Sequence, residues 1–239
     1  MLELSNVVKH YRVGSENPIR AVDGVSMRVD AGEVVALYGP SGSGKTTLID
    51  LIAGLKRPDG GSIRVAGKDV VSMSRREAGD YRLNTLGMVM QPSSLQPGAR
   101  AIASASIKLM MGSKRQAQQR IEPLLVELGL GDRLHHRTEQ LSMGERQRVL
   151  IALALSRSPK LVLADEPTAS LDSETTRHVL GLLRGICSER NVALLIVTHD
   201  PEAAAYANRT HELRDGRLGE RRVDPGLVGV ATPTSRGEP

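Results

Sequence analysis

The chain has 239 residues, of which 40% are apolar and 25% charged, with a net charge of +5 and one cysteine, Cys187. It is long and apolar enough for one large globular domain, no apolar run approaches the roughly 18 residues of a membrane span, and no leader pattern opens it, so a cytoplasmic protein is expected. Basic residues fall in pairs such as Arg75-Arg76 and Arg221-Arg222, and aromatics are 2% with no Trp or Phe; a nucleic-acid stacking platform is not expected, and the charge reads as a solvated arginine-rich surface.

Residues 1–33 and 62–71 read as short alternating strands and predict a small antiparallel layer. Val34–Tyr38 is an unbroken apolar run, and so are 86–90, 161–164 and 192–197. Such runs suit parallel strands buried on both faces, and the helical stretches between them predict an α/β fold. Each run leads into a polar or glycine residue: Gly39, Gln91, Asp165-Glu166 and Thr198-His199. Ligands of parallel sheets sit beyond the carboxyl ends of the strands, so these four positions should converge on one edge. Residues 92–150 read as a helical lobe inserted in the core, with one helix over 113–128. The main domain is expected to span 1–222. From residue 223 the prolines and glycines predict a disordered tail.

Gly39-Pro40-Ser41-Gly42-Ser43-Gly44-Lys45-Thr46 matches G-x-x-x-x-G-K-[ST] and lies between an apolar strand and an apolar-periodic helix (Leu48, Leu51, Ile52, Leu55), the context the motif requires. Its glycines let backbone N–H groups wrap phosphate oxygens at a helix N-terminus. Lys45 is the candidate for the β- and γ-phosphates, Thr46 for a Mg²⁺ ion, and the nucleotide-contacting stretch runs on through Thr47. The fold class expected is a P-loop NTPase with a mostly parallel sheet. At the end of another buried run, Asp165 is the natural Mg²⁺ partner and Glu166 is placed to polarise an attacking water, since phosphoryl transfer needs mainly positioning and charge neutralisation.

The remaining motifs narrow the class. Leu141-Ser142-Met143-Gly144-Glu145 precedes a helix; Ser142 with Glu145 is a capping box, which is compatible with an anion site. The segment also resembles the LSGGQ signature of ABC transporter ATPases. Thr168-Ala169-Ser170-Leu171-Asp172 looks like their D-loop, His199 their switch histidine, Gln91 their Q-loop glutamine, and Tyr11 the aromatic that stacks on adenine. The resemblance covers about residues 2–222. The long loop 13–20, the segment Met73-Ser74-Arg75-Arg76-Glu77-Ala78 with Tyr81-Arg82, and residues 167–173 with Thr198-His199-Asp200 are similar to the lipoprotein-release and macrolide-export subgroup. The cell-division and amino-acid importer ATPases are near neighbours.

The resemblance implies a RecA-like core and a head-to-tail dimer that sandwiches two ATP molecules. Each ATP would lie between one chain's phosphate loop and the other chain's Ser142 and Gly144, with Asp172 nearby. It implies Mg²⁺ held by Thr46, Gln91 and Asp165, and catalysis by Glu166, His199, Gln91 and Lys45. The implied partners are an integral-membrane permease, which would hold the chain on the inner face of the membrane, and a second ATPase subunit. A homodimer is expected, and a heterodimer stays open. An ABC ATPase that powers a non-transport membrane system, such as cell-wall remodelling, is the alternative. Three departures stand out: Met143 replaces a signature glycine, Met88, Met90 and Leu95 stand where relatives carry Phe, and Ala103-Ser104 stands where they carry Glu-Asn. Met88, Met90, Leu95 and residues 101–105 are the expected border of the permease groove.

Overall fold

The computed structural model describes residues 1–12, 18–90, 95–109 and 113–220. Strands β1 (Leu2–Tyr11) and β2 (Ile19–Val29) pair antiparallel; after β3 (Val34–Tyr38), β4 (Gly60–Val65) pairs with the other edge of β1, and the short β5 (Lys68–Asp69) closes the sheet in the order β2-β1-β4-β5. This is the expected antiparallel layer, but its first two strands are ten and eleven residues long. Register shifts between Leu4 and Val7 and again between Lys9 and His10 keep them paired over that length.

The second sheet runs β10-β9-β3-β8-β7-β6. Its strands β6 (Leu86–Val89), β7 (Leu161–Asp165) and β8 (Ala193–Thr198) are the other three apolar runs. They form a parallel array with β3, through the pairs β3–β8, β8–β7 and β7–β6. The edge beyond β3 was not signalled by an apolar run. There β9 (Arg209–Arg214) runs parallel to β3, and β10 (Arg217–Glu220) folds back on β9. The available signal was Asp215-Gly216, a two-residue hairpin turn with φ of 49° and 77°.

Alternate residues of the parallel strands face different layers. Val34, Val162, Ala164, Leu194 and Ile196 join the helical residues of 101–106, 114–127, 143–155 and 173–189 in one apolar cluster. Val35, Leu37, Leu163, Leu195 and Val197 join the helix Lys45–Ile52 and the antiparallel sheet in another. Burial on both faces is what uninterrupted apolar strands need.

The helices are α1 (Lys45–Ile52), α2 (Arg75–Asn84), α3 (Ala101–Ser106), α4 (Lys114–Glu127), α5 (Met143–Leu155), α6 (Ser173–Glu189) and α7 (Pro201–Ala204). The expected helix over 113–128 is α4, with Ser113 as N-cap and Leu128 as C-cap. Ser74 with Glu77 and Ser142 with Glu145 form complete capping boxes on α2 and α5, and Asp172 caps α6. Each such cap is worth about 1 kcal/mol. By contrast α1 starts at Gly44 with no side-chain cap, so the N–H groups of its first turn have no side-chain acceptor. Helices α3, α4 and α5 pack on one another, and α5 packs in turn on β6 and α6. Cys187 lies inside α6, its thiol pushed up to about 12 by burial, which makes it inert.

Candidate nucleotide site

The segments that follow β3 and end β7 meet around one cleft of ≈ 840 Å³, and the end of β8 lines a neighbouring pocket that shares Glu166 with it. The cleft's size suits a drug-sized or nucleotide-sized ligand. Tyr11, Ser41, Gly42, Gly44, Lys45, Thr46, Thr47, Asp165 and Glu166 line it. Gly39, Pro40 and Ser43 complete the loop behind that lining; the Gly39 N–H donates to Thr198 O at 3.3 Å, and Ser43 N–H to Pro40 O at 3.3 Å.

Gly44 shows why the loop needs glycine. Its φ is 105°, a region L side chains rarely adopt, and a Cβ there would lie 1.9 Å from Ala21 O. The loop is pressed against β2, and from the hairpin turn the Gly216 N–H donates to Ser43 O at 3.1 Å. Ile19, Arg20, Ala21, Asp215 and Gly216 also line the cleft, and the sequence reading had given none of them a part in it. They come from the β2 start and the unsignalled hairpin, which the chain brings to the phosphate loop only through sheet pairing.

Lys45 is buried, and its Nζ donates to Gly39 O at 2.6 Å and Pro40 O at 2.8 Å. Burial lowers its pKa, opposed by Glu166 and Asp165. Asp165 is 7% exposed. Burial first and the neighbouring Glu166 second raise its pKa above the usual carboxylate value, with Lys45 and a Thr46 hydrogen bond pulling the other way. Burial and the second carboxylate thus make the charged form of Asp165 costly, a cost that a bound cation would offset. Among the described residues no cluster of three or more His, Cys, Asp or Glu could cage a metal by itself. The Thr46 hydroxyl, hydrogen-bonded to the Asp165 carboxyl, makes a pair of hard oxygen donors that fits Mg²⁺, an ion that takes few protein ligands and shares the rest with phosphate oxygens and water.

Glu166 adopts a φ of 48°, a strained position for a residue with a side chain. Its backbone N–H donates to Val197 O at 2.8 Å. Its carboxylate is held from β8: Thr198 Oγ1 donates at 3.1 Å, the His199 N–H donates at 3.0 Å, and His199 Nδ1 lies 2.6 Å away. Glu166 and His199, 33 residues apart, thus form one hydrogen-bonded unit at the cleft edge, with the imidazole 60% exposed. Tyr11 sits at the far end, with Lys9 and Lys56 ammonium groups 5.7 and 5.4 Å from its ring centroid.

Ser142, Gly144 and Asp172 do not line this cleft. Met143 and the residues before Asp172 border a second groove of ≈ 500 Å³, with Val89, Met90, Leu150, Ala169, Ser170 and Leu171, and Asp165 lines both this groove and the cleft. Met143 is 53% exposed. Gln91 and most of the loop 13–20 lie outside the described residues, as does the tail from 223. Of the expected groove border, Met88, Met90 and Leu95 are partly buried, whereas Ala101, Ile102, Ser104 and Ala105 are in the core. That part of the expectation is corrected: α3 is the helical layer's packing face, because its small side chains let α4 and α5 approach.

The ABC transporter family profile matches residues 22–169. The chain belongs to the ABC transporter ATP-binding family. Its relatives include the lipoprotein-releasing system ATP-binding protein LolD of Chromohalobacter salexigens, 41% identical over 222 residues, covering 92% of this chain and 93% of that protein. The LolD of Anaeromyxobacter dehalogenans is 44% identical, covering 91% and 92%. The macrolide export ATP-binding/permease protein MacB of Rhodopirellula baltica is 41% identical over 92% of this chain, which spans 33% of that relative's length. Among solved structures, the dimeric structure of MJ0796, a bacterial ABC transporter cassette, superposes with a TM-score of 0.82 at 32% identity over 94% of this chain and 100% of that one. The same cassette in a post-hydrolysis state bound to ADP and Pi gives 0.81 at 33% identity. The P-loop NTPase fold and the ATP-hydrolysing ABC subunit expected from the motifs are therefore both found.

Proposed function

We propose that this ABC ATPase binds ATP in the cleft between Tyr11 and Glu166 and couples its hydrolysis to an integral-membrane permease of the lipoprotein-release or export type. The observation that carries the hydrolytic reading is the Glu166 unit: a half-buried carboxylate at strained φ, fixed by Thr198 and His199, beside Asp165 and Lys45.

In this reading the uncapped first turn of α1 and the loop amides of 39–47 receive the phosphates, and Lys45 exchanges its carbonyl partners for phosphate oxygens. Thr46 and Asp165 hold Mg²⁺, with Gln91 as a further ligand; the ion, when bound, neutralises charge on the phosphate oxygens. Glu166 orients the attacking water, and His199 restrains Glu166. Tyr11 supports the adenine. Preorganised charge and position supply most of phosphoryl-transfer catalysis, so these fixed contacts matter more than any covalent step.

Ser142, Gly144 and Asp172 act toward a second subunit, since they stand away from their own chain's cleft. The dimeric MJ0796 cassette and the near full-length match to LolD support pairing and a separate permease. Among the described residues no helix is long and apolar enough to cross a membrane, so membrane association would come through that permease. The test is phosphate release from ATP by the purified chain with Mg²⁺, repeated after co-purification with its co-expressed permease. Stimulation by the permease is expected; hydrolysis indifferent to it contradicts the coupling, and no hydrolysis in either state contradicts the site.

A further inference from the structure

Gly144 lies inside α5 in helical geometry, with no positive φ to require glycine. It is nevertheless buried, and a Cβ there would lie 2.6 Å from Thr175 Cγ2. Ordinary carbon contacts sit near 3.5–4.0 Å, so contact with α6, not backbone conformation, demands glycine. The other branch of Thr175 is also committed. Its Oγ1 donates to Asp172 Oδ2 at 2.7 Å, and its backbone N–H donates to Asp172 Oδ1 at 2.9 Å. Those bonds, the backbone one first, hold the Asp172 carboxyl below the usual carboxylate range. A β-branched side chain has few χ1 choices, and turning the methyl away from Gly144 takes the hydroxyl away from Asp172.

We propose that Thr175 is a positioning residue: its methyl seats the Ser142-Met143-Gly144 turn and its hydroxyl seats Asp172. The two partner-facing turns of one chain would then move as a single unit. Gly144 is glycine because it packs on Thr175 within its own chain. The catalytic consequence rests on the two-subunit site proposed above; the packing does not.

The experiment compares Gly144→Ala, Thr175→Ser and the double variant, reading the unfolding midpoint of the nucleotide-free chain and ATP turnover. Thr175→Ser deletes the methyl and keeps the hydroxyl. Gly144→Ala should lower the midpoint by about 2–8 °C, the scale of overpacking in a chain of this size, and lower turnover by about tenfold or more through displacement of the turn. The double variant should recover both, whereas Gly144→Ala with Thr175→Val, which keeps a methyl, should recover neither. If Gly144→Ala does not fold, recovery of folded protein by Thr175→Ser is the same positive result. A double variant as impaired as Gly144→Ala overturns the packing. A recovered midpoint without recovered turnover overturns the positioning role alone. A wild-type chain that hydrolyses no ATP, with the midpoint still rescued, counts against the proposed function and leaves the packing intact.

Discussion

Two edges of the molecule differ in how finished they are. At the phosphate-loop edge one helix start is left uncapped, Lys45 is buried with only loop carbonyls to serve, and Asp165 and Glu166 crowd each other. At the α5–α6 edge the helix starts are satisfied from within: Ser142 with Glu145 caps α5, Asp172 caps α6, and Arg133 pairs with Glu145 at 2.8 Å. Burial by itself would raise Glu145, but Arg133 and the Ser142 N–H hold its carboxyl below the usual range. The first edge is a binding site carrying unmet electrostatic demand; the second is a surface whose helix starts are already satisfied within the chain. Such a division suits a reaction centre completed by a second subunit, with one edge holding the nucleotide and the other closing on it.

Glu166→Gln should break the comparison hardest. It keeps the shape and loses the base, so turnover should fall by about 10²–10⁴ while nucleotide binding survives; wild-type turnover in a phosphate-release assay would remove Glu166 from its role. Asp165→Asn tests the unmet demand itself. A raised pKa means that the folded chain binds the proton more tightly than the unfolded chain, so stability falls as pH rises through the folded pKa and the deficit persists at neutral pH. In metal-free buffer at neutral pH the variant should therefore unfold at a higher temperature than wild type. That advantage should shrink as pH falls through the raised titration range of Asp165; a lower midpoint at neutral pH would show that the site is not strained.

Tyr11→Ala should weaken nucleotide binding by about 0.5–1.5 kcal/mol, the scale of aromatic stacking, with GTP affected as well as ATP. Unchanged affinity in a fluorescent-nucleotide titration would place the base against Ile19 or Arg20 instead. The smallest effect is expected on the finished edge. Met143→Gly removes a half-exposed side chain from the groove rim and should raise steady-state turnover modestly, with unchanged nucleotide affinity. It should also cost about 0.5–1 kcal/mol of stability, since glycine weakens a helix. Unchanged or lower turnover would show that the thioether is accommodated beside Met90.

The sequence was most legible where physics is local. Apolar runs identified the parallel strands β3, β6, β7 and β8, the glycine pattern located the phosphate loop, and Ser113 and Ser142 marked helix starts. It was least legible where sheet pairing joins distant residues. Strands β9 and β10 are too polar to announce themselves, so the Asp215-Gly216 turn and its contact with Ser43 stayed hidden. Residues 101–105 were assigned to the permease groove by the family resemblance, yet their small side chains let α3 pack in the core. The contact that makes Gly144 glycine comes from Thr175, 31 residues on in the sequence, and no local pattern foretells it.

The central claim is that one chain's nucleotide-binding edge is closed by the finished edge of a second. The direct measurement is the molar mass of Glu166→Gln in solution by light scattering, without nucleotide and then with ATP and Mg²⁺. A mass that doubles on adding ATP and Mg²⁺, and returns to the monomer value with ADP, is predicted. A chain that binds ATP yet keeps a monomer's mass under both conditions would contradict the account.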